Sequence, residues 1–263
     1  MPIQHPPFIH IPLAAGKKVY FASDFHLGAP DLAASLQREK KIVQWLEEIR
    51  QDAAHIFLVG DLFDFWFEYK RVIPKGYTRL LGKLAELSDA GIGLSIFIGN
   101  HDMWMDGYFE EELHIPVYTE PQAFDIGGRK FYVGHGDGLG PGDKGYKLLK
   151  KIFRNKFCRW LFAAIHPSWG ISLADFFSRK SRAVTQMETF LGEENEWLVL
   201  YGREVLKEEF FDYFIFGHRH LPLDIRLTDA SRYINLGDWL NYSSYADFDG
   251  NTTTLKFYKK DNP

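Results

Sequence analysis

The stretch L-S-I-F-I-G-N-H-D, Leu94 to Asp102, runs from a short apolar segment into asparagine, histidine and aspartate. A short apolar run closed by glycine reads as a buried strand. Asparagine is a poor metal ligand and a poor acid or base, so Asn100 alone suggests only a turn. Followed by His101 and Asp102 at a strand end, it leaves two readings open: loop chemistry, or part of a metal site.

The same arrangement recurs along the chain. V-Y-F-A-S (Val19 to Ser23) runs into Asp24 and His26, and I-F-L-V-G (Ile56 to Gly60) into Asp61 and Asp64. F-Y-V-G-H (Phe131 to His135) ends in His135 and Asp137, and Y-F-I-F-G-H (Tyr213 to His218) in His218 and His220. R-Y-I-N-L-G and T-T-T-L-K-F-Y-K add two strands near the end of the chain. Helical spacing marks Asp31 to Arg50, through Leu32, Leu36, Val43, Leu46 and Ile49, and Gly76 to Ala90, through Leu80, Leu84 and Leu87. Strands alternating with helices predict an α/β layer structure. Ligands of open α/β sheets bind at the carboxyl ends of the strands, so the five loops are expected to converge.

The chain's 263 residues can bury a substantial core, with Phe, Tyr and Trp well represented. Cys158 is the single cysteine, which excludes an intramolecular disulfide framework. The N-terminal segment lacks a basic region followed by a long apolar one, so no signal peptide is expected. No apolar run approaches the ~20 residues of a membrane span, and a cytoplasmic location is the default expectation. Charge is uneven: Lys144 to Arg182 holds ten Lys/Arg against one acid, Asp175, in a chain of net charge −4. Such a basic block suits an anionic partner or a solvated helix face. Residues 136–211 contain no convincing strand, only helical patterns such as K-G-Y-K-L-L-K-K-I-F-R-N-K-F-C-R-W-L-F-A-A-I, and are expected to form an insertion or a cap.

Convergence would gather Asp24, His26, Asp61, Asn100, His135, His218 and His220. Oxygen and imidazole donors suit Mn²⁺, Fe or Zn²⁺. Seven ligands are too many for one ion and suit two that share a bridging carboxylate, the arrangement that clamps a phosphoryl group and activates water. Gly60, Gly99, Gly134 and Gly217 allow tight turns and close backbone approach beside them.

The order D-x-H, G-D-x-x-D, G-N-H-D, G-H-G-D, G-H-x-H, spanning Ser23 to His220, resembles the calcineurin-like metallophosphoesterase superfamily. The resemblance implies a four-layer β-sandwich flanked by helices, of mixed α/β (α+β) class, with a binuclear site at the strand ends. By motif, Asp24, His26 and His220 would hold one metal, Asn100, His135 and His218 the other, and Asp61 would bridge them. His101 would protonate the leaving-group oxygen or stabilise phosphoryl charge.

G-D-L-F-D-F-W (Gly60 to Trp66), H-G-D-G-L-G-P-G-D-K-G-Y-K-L-L-K-K-I-F-R-N (His135 to Asn155) and L-F-A-A-I-H-P-S-W-G-I-S-L-A-D-F-F-S-R-K-S-R resemble the UDP-2,3-diacylglucosamine hydrolases of lipid A synthesis. These cut a pyrophosphate to give UMP and 2,3-diacylglucosamine 1-phosphate and carry a helical insertion sheltering the acyl chains. This implies a core of residues 1–135 and 212–263 with a helical cap of 136–211, and two divalent ions, Mn²⁺ first among them. The substrate would be an amphiphilic UDP-sugar lipid, with peripheral contact at the cytoplasmic face of the inner membrane. Leu148, Leu149, Ile152, Phe153, Trp160, Leu161, Phe162 and Ile165 suit lipid. Lys144, Tyr146, Arg154, Arg179, Lys180 and Arg182 are the expected substrate contacts. Those hydrolases commonly carry Arg where this chain has His101. A phosphoesterase acting on a soluble nucleotide, a phosphodiester or a nucleic-acid end would share the core, as would a non-catalytic scaffold. Nucleic acid fits less well, because the basic residues lie among Leu, Phe and Trp rather than along a stacking groove.

Overall fold

In the computed structural model, which describes residues 7–140, 144–173 and 189–259, two six-stranded sheets lie face to face. One has the order β1 (Ile9–Ile11), β6 (Gln122–Ile126), β7 (Arg129–Gly134), β8 (Tyr213–Phe216), β10 (Ser231–Leu236), β9 (Pro222–Thr228). The other runs β12 (Thr253–Phe257), β11 (Ser244–Phe248), β2 (Lys18–Ala22), β3 (Ala53–Val59), β4 (Gly93–Phe97), β5 (Val117–Tyr118). The sandwich flanked by helices that the motifs imply is the architecture found.

Side-chain alternation explains the layers. Val19 and Phe21 of β2, with Phe57 and Val59 of β3, point between the sheets and meet Phe124, Phe131, Val133 and Ile215. Phe21 stacks on Phe57 at 5.0 Å and reaches across to Phe131 at 5.7 Å between ring centroids. Tyr20, Ala22, Ile56 and Leu58 point the other way, under α1 (Leu32–Ile49) and α2 (Thr78–Asp89). Leu80, Leu84 and Leu87 bury the α2 face as the spacing predicts. Beyond α3 (Tyr108–Leu113), the described residues between β7 and β8 form α4 (Lys144–Phe153), α5 (Lys156–Ala163), a helical stretch over 167–173 and α6 (Trp197–Val205), with no strand among them. Leu198, Val199 and Val205 of α6 cover the outer face of β7 and β8 through Tyr132, Phe214 and Phe216.

Helix α1 departs from the apolar spacing. Leu32 is 81% exposed, and the buried face includes Arg38, Glu39, Trp45 and Leu46. Arg38 donates from Nε to the Phe25 carbonyl (2.6 Å) and from Nη2 to those of His26 (2.6 Å) and Ala29 (2.5 Å). Glu39 Oε1 accepts from the N–H groups of Arg79 and Leu80 at the start of α2. Both charges are buried because each satisfies backbone groups that would otherwise lose their hydrogen bonds.

Strands β2, β3 and β4 are mutually parallel, as are β7 and β8. Their carboxyl ends therefore deliver five loops to one end of the sandwich.

Away from that end, burial pushes His55 on β3 down to about 4, with its Nε2 2.9 Å from Ser95 Oγ. A histidine whose folded value lies below its unfolded value stabilises fully above the unfolded value and loses that contribution as pH falls toward the folded one. Denaturant unfolding of His55→Gln should therefore show an acid loss between pH 6.5 and 4 smaller than the native chain's by up to about 3 kcal/mol. Identical acid limbs would refute the assignment.

Candidate metal centre

The first loop places Asp24 and His26 directly after β2, both fully buried and both with left-handed backbone, φ 55° and 44°. Asp61, His218 and His220 share that conformation, at φ 53°, 67° and 47°. Such a residue without glycine's freedom costs roughly 1–2 kcal/mol, so five together mark a place where the fold holds strain. Hydrogen bonds fix them: Asp24 N–H donates to the Gly60 carbonyl, His26 N–H to that of Asp61, and His218 N–H to Asp24 Oδ2 across the sheets.

The side chains converge as the sequence predicts. Asp24, His26, Asp61 and His220 each offer an atom within 4.8 Å of the others. His220 Nε2 lies 3.2 Å from Asp24 Oδ1 and 3.1 Å from His26 Nε2. His135 Nε2 lies 3.4 Å from Asp61 Oδ2 and 3.3 Å from Asn100 Oδ1, so Asp61 stands between the two groups. The His218 ring packs edge-on against His135, 5.2 Å between centroids. Asp24, His26, Asp61 and His135 are buried, whereas Asn100, His101, His218 and His220 reach partly to solvent. The centre thus has a closed floor and an open mouth.

Close approach requires glycine at two of these turns. A Cβ on Gly99 would stand 2.1 Å from Asp61 Oδ1, and one on Gly217 2.5 Å from Asp24 Oδ2. Asp102 accepts from the N–H groups of Leu62 and Gly99, both at 2.7 Å, and thereby ties the loops after β3 and β4 together. Asp64 faces His26 Nδ1 at 3.8 Å and His101 Nδ1 at 3.7 Å. Asp137 is paired with Lys150 at 2.5 Å. Apolar spacing gave no sign of Asp238, which is fully buried with Oδ2 3.6 Å from His220 Nδ1. Its G-D-W context, like the other strand-end carboxylates, was the available signal.

The donor set fits divalent cations. Asp24 Oδ1 and Asp61 Oδ2 are buried without a hydrogen-bond donor, a costly state for carboxylate oxygens unless positive charge compensates it. Burial alone would raise Asp61, but the charges of His135 and His101 outweigh it and hold the carboxyl well below the usual range. Reciprocally, burial disfavours protonated His135, yet Asp61 and Asp24 raise it to about 10. The His135 Nδ1–H donates to the Val59 carbonyl at 2.9 Å, orienting Nε2 toward Asp61. His101 is driven the other way, down to about 4 by burial despite the charge of Asp61.

Four described cations between β7 and β8 are engaged within the fold, two with the loop after β7 and two with earlier loops. Lys147 donates to the Gly140 carbonyl, Lys150 meets Asp137, Arg154 pairs with Glu120 and donates to the Thr119 carbonyl, and Arg159 pairs with Asp106. Phe153 and Phe162 pack on Trp104, and Phe162 also on Phe67. Trp160 and Trp169, by contrast, are 64% and 74% exposed, and Trp160 stacks with exposed Phe157. Lys144 and Tyr146 fall in the first turn of α4; their side chains, those of Leu148 and Leu149, and residues Arg179, Lys180 and Arg182 lie outside the described residues.

This sandwich and its clustered strand-end ligands belong to a known class. Residues 17–222 match the calcineurin-like phosphoesterase model, and the chain belongs to that family, whose chemistry uses divalent metals. Within it, the chain is 41% identical to the UDP-2,3-diacylglucosamine hydrolase of Porphyromonas gingivalis over 91% of its own length and 97% of the relative's. It is 29% identical to the proteins of the same name from Aeromonas salmonicida (85% and 87% of the two chains) and Neisseria meningitidis serogroup B (89% and 95%).

Gly99→Ala should displace the Asp61 carboxylate and weaken Mn²⁺ binding by at least about tenfold, measured by titration calorimetry. Binding equal to the native chain's would show that the approach at Gly99 does not shape the site.

Proposed function

We propose that the chain hydrolyses the pyrophosphate bond of UDP-2,3-diacylglucosamine, releasing UMP and 2,3-diacylglucosamine 1-phosphate. The observation that carries the reading is the pair of buried, unsatisfied carboxylate oxygens on Asp24 and Asp61, ringed by histidines in a chain 41% identical to a hydrolase of that name. Asp24, His26 and His220 would hold one divalent ion, Asn100, His135 and His218 a second, and Asp61 both, with Mn²⁺ the favoured metal for this oxygen and imidazole set. When bound, such ions supply a nucleophile at neutral pH and neutralise charge growing on the phosphoryl oxygens.

The protein's own part is orientation and protons. His101 N–H donates to Asp61 Oδ1 at 2.9 Å, fixing the bridging carboxylate from the G-N-H-D turn. The His101 ring, 3.1 Å from the Asp64 carbonyl through Nδ1, stands beside His26 at the mouth. There, as the imidazolium that phosphoryl charge would favour, its Nε2–H would donate a hydrogen bond to the leaving oxygen or to the phosphoryl group. Residues 136–211 act in this reading as the cap over the acyl chains. The exposed aromatic side chains of Phe157, Trp160 and Trp169 support a lipid-facing role and peripheral contact with the cytoplasmic face of the inner membrane. No helix among the described residues is long and apolar enough to cross a membrane. Lys144, Tyr146, Arg154, Arg179, Lys180 and Arg182 remain the proposed contacts to the substrate's polar part; for Arg154 this requires exchange of its Glu120 partner.

UMP release from UDP-2,3-diacylglucosamine, followed with Mn²⁺ present, should exceed that from UDP-sugars lacking acyl chains. Asp61→Asn should reduce it by at least about a hundredfold. Equal rates on acylated and soluble substrates would favour the soluble-nucleotide phosphoesterase.

A further inference from the structure

Between the two histidines of the G-H-R-H loop stands Arg219, whose side chain the metal reading leaves without a task. It is 4% exposed and forms a two-pronged ion pair with fully buried Glu196: Nε to Oε2 at 2.9 Å and Nη2 to Oε1 at 3.0 Å. Its guanidinium also lies 4.5 Å from the centre of the Trp197 ring and donates to the Thr189 carbonyl at 3.1 Å. Glu196 and Trp197 open α6, where the chain returns from the insertion, and Glu196 Oε1 additionally accepts from Leu191 N–H. Gly136 and Gly140 pack against Leu198 and Trp197, so the same return leg also seats the loop after His135.

We infer that the Arg219–Glu196 pair is a positioning device for the metal centre, clamping the His218–His220 loop to the return leg of the insertion; this rests on the metal reading above. The backbone supplies the reason. His218 and His220 both adopt the left-handed conformation, which their side chains disfavour, and the residue between them is the natural point at which to hold that shape. A planar guanidinium bound by both prongs and stacked on an indole fixes orientation as well as position, which a single-point cation would not. A buried pair of this kind is a weak source of net stability, since desolvation offsets most of the attraction, so its value lies in geometry. Groups that orient ligands in this way typically alter metal affinity or activity by about 10–100-fold when removed.

The test is Mn²⁺ titration calorimetry on the full-length chain after chelation, read beside the unfolding midpoint. Arg219→Met and Glu196→Gln should each weaken Mn²⁺ binding by about tenfold or more. The double variant should be no worse than either single one, because the two side chains act as a unit. The double variant also buries no lone charge, so it separates folding from positioning. A near-native midpoint with weakened Mn²⁺ binding is the expected result. Native Mn²⁺ affinity in the folded variants would overturn the inference and leave the metal reading standing. Failure of the native chain to bind Mn²⁺ would overturn both.

Discussion

Two buried carboxylates, Asp24 and Asp61, set the terms for the rest of the molecule. Each sits at the end of a central strand of the same sheet, inside protein, with an oxygen that makes no hydrogen bond. Charge in such a place needs compensation, and the neighbouring histidines supply part of it. Asp61, facing His135, raises that histidine's affinity for a proton despite its burial. Holding the remaining donors around that charge bends five non-glycine residues into left-handed backbone. The strain is sustained by cross-loop hydrogen bonds to Gly60, Asp61 and Asp24, and by Arg38, whose three carbonyl contacts brace the turn after β2. Stability in the sandwich core thus underwrites geometry at its rim.

The insertion is tied to the core by the same physics at lower stakes. Arg154 and Arg159 reach carboxylates on the loops after β5 and before α3, Lys147 and Lys150 hold the loop after β7, and Phe153 and Phe162 pack on Trp104. Four of the ten cations between Lys144 and Arg182 are therefore engaged within the fold. Apolar residues divide in a similar way: one face of α5 is spent on packing, and Trp160 with Phe157 faces solvent. A surface that keeps large aromatic side chains in water is the kind that marks an interaction site.

Much of this was legible in the sequence because metal chemistry is written in residue types that strand ends rarely collect by chance. Apolar runs ending in Asp24, Asp61, Asn100, His135 and His218 announced both the strands and their convergence. Charged residues with structural duties were not legible. Arg38 and Glu39 sit in a polar stretch of α1 that spacing assigns to solvent, whereas the fold buries them to satisfy backbone groups brought close only by tertiary structure. Leu32 was misassigned for the complementary reason: it follows the N-cap Asp31, where the helix has not yet reached the sheet. Arg219 lies inside the most informative motif, yet its partner Glu196 is 23 residues away in sequence. Local patterns carry no record of such pairings.

The G-N-H-D turn shows how densely a motif can be used. Gly99 is required because Asp61 occupies the space of its missing Cβ. Asn100 offers a neutral oxygen beside His135, where another carboxylate would add negative charge to a site already rich in it. His101 grips Asp61 through its backbone and presents its ring at the mouth. Asp102, outside the expected ligand set, gathers the amides of Gly99 and Leu62. Four adjacent residues thus serve four different demands: room, neutrality, reach and bracing. Substituting any one for its nearest chemical relative changes a different property of the site, so the four cannot be exchanged as a group of interchangeable polar residues.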